Sequence, residues 1–313
     1  MKILILQNRM GIGDMIMFLP FIEAISKRYK TPVTILAKRN TKVEMYFNNK
    51  EIVEEIMYLE REDNKKHSGV KGFFKLVNEL KLKKFDKVFI FNSSLRYFLI
   101  SKFSDIKEVF HYPLFKKKNQ QIIEAAKEFT LKSIGEDIES TPRLFLREQD
   151  ILKAKKDHSI DQSITNVILG IGGSGKTKRV PASIFKSFME RALNNFNCRF
   201  FLMTGNNIDE LKIMDEIIES EYKEYCTPLN NFTIEEILPI IPNCQIAICN
   251  DSSFSHLSAA LGIKTIVLMV DTPLIYGSYN KNMYPILPEG EDKVTHDTLG
   301  KDKISPKEIY NKF

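Results

Sequence analysis

Asp251 and His256 frame a polar turn in AICNDSSFSHLSAALG, residues 247–262. Ala247 to Cys249 suit a strand. Asn250 to Ser253 are small and polar, and Leu257, Ala260 and Leu261 then recur at helical spacing until Gly262. A strand that turns straight into a helix aims backbone N–H groups and the positive end of the helix dipole at one point, which suits a phosphate. The plainer alternative is that Asp251 or Ser252 only caps a helix and His256 is an ordinary surface histidine.

Three other stretches carry residue types able to do chemistry. In NRMGIGDMIMFLP, residues 8–20, Gly11 and Gly13 allow a tight turn, and Asp14 falls in the first turn of a helix. This is GxG without the third glycine, a weak dinucleotide signal. Asp14 could equally be an acid favoured there by the helix dipole. In LGIGGSGKTKRVP, residues 169–181, Gly170 to Thr177 match GxxxxGK[ST] literally. A P-loop lysine must open a long helix, however, and Pro181 follows Lys176 too closely for that. Pro181 suits the start of a later helix containing Phe185, Phe188 and Met189. The stretch then reads as a glycine-rich bend presenting Lys176, Lys178 and Arg179, cations suited to a diphosphate. In FLMTGNNIDE, residues 201–210, a strand ends in a glycine turn followed by Asp209, placed to take a ribose hydroxyl pair or simply to start a helix.

These loops need elements to hold them. Strands are expected at 2–7, 33–37, near Ile56, at 87–91, 166–170, 200–204, 245–249 and 264–269. Helices are expected from the GxGD loop to Tyr29, at 41–48, 73–82, 95–103, 122–134, 184–196, 209–220 and 233–241, with 60–72 and 108–120 irregular. Strands alternating with helices twice over predict two doubly wound α/β domains, 1–155 and 165–313. Ligands in such sheets sit at the carboxyl ends of strands, where all four stretches fall.

The chain of 313 residues, 43% hydrophobic and 27% charged, is ample for two cores and has no apolar run of membrane-spanning length. Its opening is too quickly polar for a signal peptide. Four scattered cysteines without CxxC spacing fit a reducing cytoplasm and argue against a zinc site, so no metal ligands are assigned. Residues 1–150 carry 28 Lys and Arg against 20 Asp and Glu, a balance of +8. The remainder carries 18 against 20, a balance of −2. A basic first half can face an anionic partner. No recognisable nucleic-acid module accompanies it, and no nucleic-acid partner is expected. The lysines gather at Lys81, Lys83, Lys84 and Lys116 to Lys118, without an evident apolar anchor. An anionic membrane surface met by charge alone is the expectation, and a merely soluble lysine-rich surface is the alternative.

Taken together, the stretches resemble glycosyltransferase family 9, the ADP-heptose:lipopolysaccharide heptosyltransferases, over nearly the whole chain. The resemblance rests on GxGDxxxxxP (Gly11 to Pro20), FDKVFIFNSSLRYFLISKF (85–103), the Lys178-Arg179-Val180-Pro181 loop, MTGNNIDE, and NDSSFSHLSAALGIKTIVLMVDTP (250–273). The last is similar to the family's D[ST]GxxHxxAALGxPT. The resemblance implies a GT-B architecture of two Rossmann-like doubly wound domains facing a central cleft, acceptor in the first and nucleotide sugar in the second. It implies inverting transfer without a cofactor or obligatory metal, from a donor such as ADP-heptose to a lipopolysaccharide core or related lipid-linked glycan. With the scattered cysteines and the basic first half, it leads to an expected place in the cytoplasm, peripheral at the inner face of the cytoplasmic membrane. By position, Asp14 becomes the general base. Lys178 holds the diphosphate with Ser174 nearby, Asp209 contacts the ribose, and Asp251, Ser252, Ser253 and His256 meet the donor's sugar and phosphates. Gly13 belongs with the donor-binding positions. Three residues depart from the pattern: Ser253 replaces the motif glycine, Lys264 the proline, and Val180 the usual Trp. A P-loop nucleotide hydrolase and a non-catalytic nucleotide- or glycan-binding homologue are the competing readings.

Overall fold

Short strands that are apolar on both faces belong in parallel sheets covered by helices. ILIL, VTILA, TNVILG and IAICN are such strands, buried almost throughout. The computed structural model describes residues 1–47, 51–114 and 122–313. Contacts divide the chain into two units, Met1–Pro142 and Arg143–Phe313.

The first unit runs β1 (Ile3–Leu6), α1 (Ile12–Tyr29), β2 (Val33–Ala37), β3 (Val53–Tyr58), α2 (Gly69–Lys83), β4 (Lys87–Ile90), α3 (Leu95–Phe103), β5 (Glu108–His111) and α4 (Ile122–Ile134). Its sheet has the order β3-β2-β1-β4-β5, all parallel. Leu4, Leu6, Leu36, Leu80, Val88, Ile90 and Ile100 form a core between the sheet and α2 and α3.

The second unit runs α5 (Glu148–Asp157), β6 (Thr165–Gly170), α6 (Ala182–Leu193), β7 (Cys198–Met203), α7 (Ile208–Ile218), β8 (Cys226–Pro228), α8 (Ile234–Ile237), β9 (Ile246–Asn250), α9 (Ser253–Ala260), β10 (Lys264–Leu268), β11 (Met283–Ile286) and α10 (Pro306–Lys312). Its parallel order is β11-β10-β9-β6-β7-β8. The winding therefore reverses between β6 and β9, as it does between β1 and β4 in the first unit. These reversals are the switch points at which doubly wound sheets leave a crevice for ligands.

Several local expectations change. Two 3-10 turns, Arg39–Thr41 and Val43–Met45, stand where one helix over 41–48 was expected. Lys42 between them is left-handed at φ 53, which ends regular helix; residue 48 lies outside the described residues. The segment from 108 opens with β5 rather than irregular chain, because Lys87 to Ile90 offers it a free parallel edge. Helix α2 begins at Gly69, four residues before its apolar spacing is visible. The boundary between units falls at 142, ahead of the expected 155. Helix α5 belongs to the second unit, where Asn243 Nδ2 donates to the Ile151 carbonyl at 3.0 Å and Leu144 N to the Ala260 carbonyl at 2.9 Å.

Candidate active site

In the second unit, the loops after β6 and β9 meet across the switch point. Asn250 ends β9 and is fully buried. Its Nδ2 donates to the Ile171 carbonyl at 2.8 Å, and its Oδ1 accepts from Val180 N at 3.3 Å. This one amide closes the glycine-rich loop at both ends. Within the loop, Lys176–Lys178 form a single 3-10 turn, and Pro181 precedes α6 as its cap residue. Lys176 does not open a helix. Its side chain is 83% exposed and lies 3.3 Å from Asp209. The literal P-loop string is therefore not a P-loop.

Lys178 turns inward. Its Nζ donates to Asp251 Oδ2 at 2.9 Å, and Asp251 is only 5% exposed. His256 Nε2 lies 4.0 Å from Asp251 Oδ1. The other ring nitrogen of His256 is 2.6 Å from the Tyr279 hydroxyl, and the two rings stack. Burial pushes the Asp251 carboxyl upward. The charges of Lys178 and His256 and the Lys178 hydrogen bond outweigh it and hold the group below its ordinary value. Asp251 is thus an ionised, buried anchor that fixes a lysine beside the N-terminus of α9. Ser252 and Ser253 supply the half-buried start of that helix, with Ser255 Oγ donating back to the Ser252 carbonyl at 2.7 Å.

A second ion pair holds the loop from behind. Arg179 is buried; its Nε donates to the Gly173 carbonyl at 2.8 Å, and its guanidinium lies 3.3 Å from Glu210 and 3.4 Å from Asp209. Glu210 in turn accepts from Gly205 N at 2.7 Å. A Cβ at Gly205 would lie 2.7 Å from that carboxylate, so only glycine lets backbone and acid approach so closely. Asp209, with Lys176 and Arg179 beside it, is held below the usual carboxylate range, chiefly by the Lys176 hydrogen bond. Ser174 is exposed on the same loop. The structure thus brings together Lys178, Asp251 and His256, and links Asp209 to them through the loop. Arg179 was visible in the sequence only as one more cation. Glu210, Asn250 and Tyr279 carry no such signal in the sequence, since the partners that tie them to the site, Arg179, Val180 and His256, lie far from them along the chain.

In the first unit, Gly11 is left-handed at φ 98 and launches α1, with Gly13 and Asp14 in its first turn. Asp14 Oδ1 accepts from Arg9 Nε at 2.7 Å. Across the switch point, Asn92 Nδ2 donates to Asn8 Oδ1 at 2.7 Å. Arg9, Asn92, Tyr112 and Phe129 are among the residues lining a cavity of about 910 Å³, ample for a small-molecule ligand. Among the described residues, no group of three His, Cys, Asp or Glu side chains could hold a metal ion. All four cysteines are free, and burial pushes Cys198 up to about 11 and Cys249 to about 12, values that suit packing rather than nucleophilic chemistry. No helix among the described residues is long and apolar enough to cross a membrane.

Two Rossmann-like units with polar loops gathered at both switch points define the GT-B class of fold, as known structures bear out. The chain spans 100% of its own length and 97% of the E. coli ADP-heptose lipopolysaccharide heptosyltransferase II at 18% identity and a TM-score of 0.73. It covers 99% of itself and 95% of a family 9 glycosyltransferase from Veillonella parvula at 17% identity and 0.75. With an E. coli heptosyltransferase solved with ADP the values are 99% and 98%, 15% and 0.72. No curated protein sequence matches the chain. The model of glycosyltransferase family 9 (heptosyltransferase) matches residues 110–298. The chain belongs to that family and is a glycosyltransferase.

Proposed function

We propose that the enzyme transfers a heptose, with inversion, from ADP-heptose to a hydroxyl of a lipopolysaccharide core or related lipid-linked glycan. The donor is assigned to the second unit and the acceptor to the first. The observation that carries this reading is the Lys178–Asp251–His256 group at the mouth of α9, its carboxylate and imidazole buried and its ammonium partly so. A fixed ammonium beside helix N–H groups is suited to the charge that grows on a departing diphosphate. Lys178 and the N–H groups of Ser252 and Ser253 then stabilise the leaving group, with Ser174 at the loop's outer edge. Asp251 and His256 orient Lys178 and meet the sugar. Asp209 takes the ribose hydroxyls after exchanging its contact with Lys176.

Asp14 acts as general base. Its carboxylate accepts the acceptor hydroxyl's proton as that oxygen bonds to the anomeric carbon and the bond to the diphosphate oxygen breaks. Arg9 holds Oδ1, which leaves Oδ2 for the proton. The relatives solved as heptosyltransferases, one of them with ADP, support the choice of donor. The departure at Ser253 opens α9 beside the donor's position, so other ADP-sugars belong in the test; Lys264 opens β10 level with Ile246, at the far end of the strand from that position. A site at the inner face of the cytoplasmic membrane follows from a lipid-linked acceptor and a basic first unit.

The test is turnover with ADP-heptose and a lipopolysaccharide-core acceptor, read by mass spectrometry. ADP should appear in step with glycosylated acceptor. Nucleoside triphosphate hydrolysis without any sugar transfer would overturn the assignment.

A further inference from the structure

Helix α2 is amphipathic, yet its outer face is not simply polar. At about 100° per residue, Val70, Lys71, Phe74, Lys75, Asn78, Lys81 and Leu82 fall within one arc of roughly 140°. Gly72, Leu76, Val77 and Leu80 on the opposite arc are buried. In the outer arc Val70 is 73% exposed, Phe74 56% and Leu82 82%. Phe103 of α3, 57% exposed, extends this face through Phe73, whose ring centroid lies 5.2 Å from that of Phe74 and 6.0 Å from that of Phe103. The sequence makes no apolar anchor evident beside these lysines, yet exposed Val70, Phe74 and Leu82 stand among them on α2.

The charge on this face is mainly positive: its outer arc carries Lys71, Lys75 and Lys81, while Asp105, close to Phe103 in the chain, brings one carboxylate to its edge. No carboxylate stands in the outer arc. Lys81 pairs with Asp105 at 2.6 Å, and Lys83 with Glu55. Lys71, Lys75 and Lys84 have no ion pair among the described residues. Lys116 to Lys118, expected to add to this surface, lie outside the described residues. The base of the face is firmly held. Glu60 N donates to His67 Nδ1 at 3.0 Å, His67 Nε2 lies 3.2 Å from Glu79, and Arg96 donates to the His67 carbonyl at 3.0 Å, all beside the start of α2.

We infer that the outer face of α2, with Phe103, is a docking surface for an anionic lipid bilayer. Lysines flanking exposed Phe and Leu on an amphipathic helix match the two layers of a membrane interface. The ammonium groups meet anionic headgroups, and the apolar side chains enter the acyl boundary. A polypeptide partner would be expected to answer these lysines with placed carboxylates, and the scattered spacing here asks only for a diffuse negative field. The inference deepens the lipid-linked acceptor reading and rests on it for its purpose. Its test contains neither donor nor acceptor, so docking and transfer fail separately.

The experiment is vesicle co-sedimentation with the full chain, comparing phosphatidylglycerol-rich with pure phosphatidylcholine vesicles. Binding should require the anionic lipid and weaken in high salt. At about fivefold per lysine, Lys71→Ser/Lys75→Ser/Lys84→Ser should lower the partition coefficient by about a hundredfold. Phe74→Ser/Leu82→Ser should lower it by roughly tenfold while the melting temperature stays unchanged. Three outcomes overturn the inference: no binding to anionic vesicles at low salt, equal binding to both lipids, or apolar variants that bind like wild type. A wild-type dimer that Phe74→Ser dissolves would also overturn it, by assigning the face to a second copy.

Discussion

Asp14→Ala should lower transfer by about 100-fold or more, the usual scale for a positioned general base. Donor affinity should stay within about twofold, because the residues assigned to the diphosphate belong to the other unit. The fold should tolerate the change. Arg9, the partner of Asp14, is 37% exposed and remains hydrated when the carboxylate is removed. Asp14→Asn is the sharper variant, since the amide keeps the size and can still face Arg9 but cannot accept the proton. Single-turnover rates at saturating donor give the answer. Wild-type rates in both variants would remove Asp14 from the chemistry, and a loss confined to KM would make it a binding residue.

Lys178→Ala should be the most destabilising of the site substitutions. It strands a carboxylate that is 5% exposed, and breaking a buried pair on one side costs about 3–5 kcal/mol. His256 still faces the carboxylate, so the lower end of that range is expected. Lys178→Ala/Asp251→Asn should recover part of the loss, because the second change removes the stranded charge. The pH dependence has a definite sign. The Asp251 carboxyl is held below its ordinary 3.8 in the folded protein. Its contribution is therefore complete above that ordinary value and is lost as pH falls through the lower, folded value. The deficit of Lys178→Ala should accordingly be full at neutral pH and shrink in acid. Urea unfolding at neutral pH and in acid checks this. An equal deficit at both would mean that packing of the lysine stem, rather than charge, is what the substitution removes.

The doubly wound plan was legible because the central strands are apolar on both faces and strand and helix alternate. ILIL, VTILA and IAICN allow few other uses. Edge elements were harder to read. β5 carries Glu108 and His111, and β8 ends in Pro228, as edge strands can. Helix α2 was read short because its first turn holds two glycines and an exposed Val70, so that its apolar stripe starts late. At the site, Lys178, Asp209, Asp251 and His256 were singled out from their places at strand ends and from the family resemblance. The devices that hold them were not. Glu210 sits next to Asp209 and looks like another acid of a helix start. Its burial against Arg179 depends on the loops after β6 and β7 meeting, which no local pattern encodes. The outer face of α2 was hidden for a related reason. Which side of an amphipathic helix meets solvent becomes plain only once the sheet beneath it is in place.

Ligand-induced stabilisation tests the central claim, a diphosphate-sugar site built on Lys178, most directly. Wild type, Lys176→Ala and Lys178→Ala would each be melted with ADP-, GDP- and UDP-sugars, and each compared with its own ligand-free form. An ADP-sugar at a hundred times its Kd should stabilise the wild type by about 2.7 kcal/mol. Lys176→Ala should keep most of that gain, and Lys178→Ala should lose most of it. Stabilisation by no sugar nucleotide, or a gain lost in Lys176→Ala and kept in Lys178→Ala, would contradict the account.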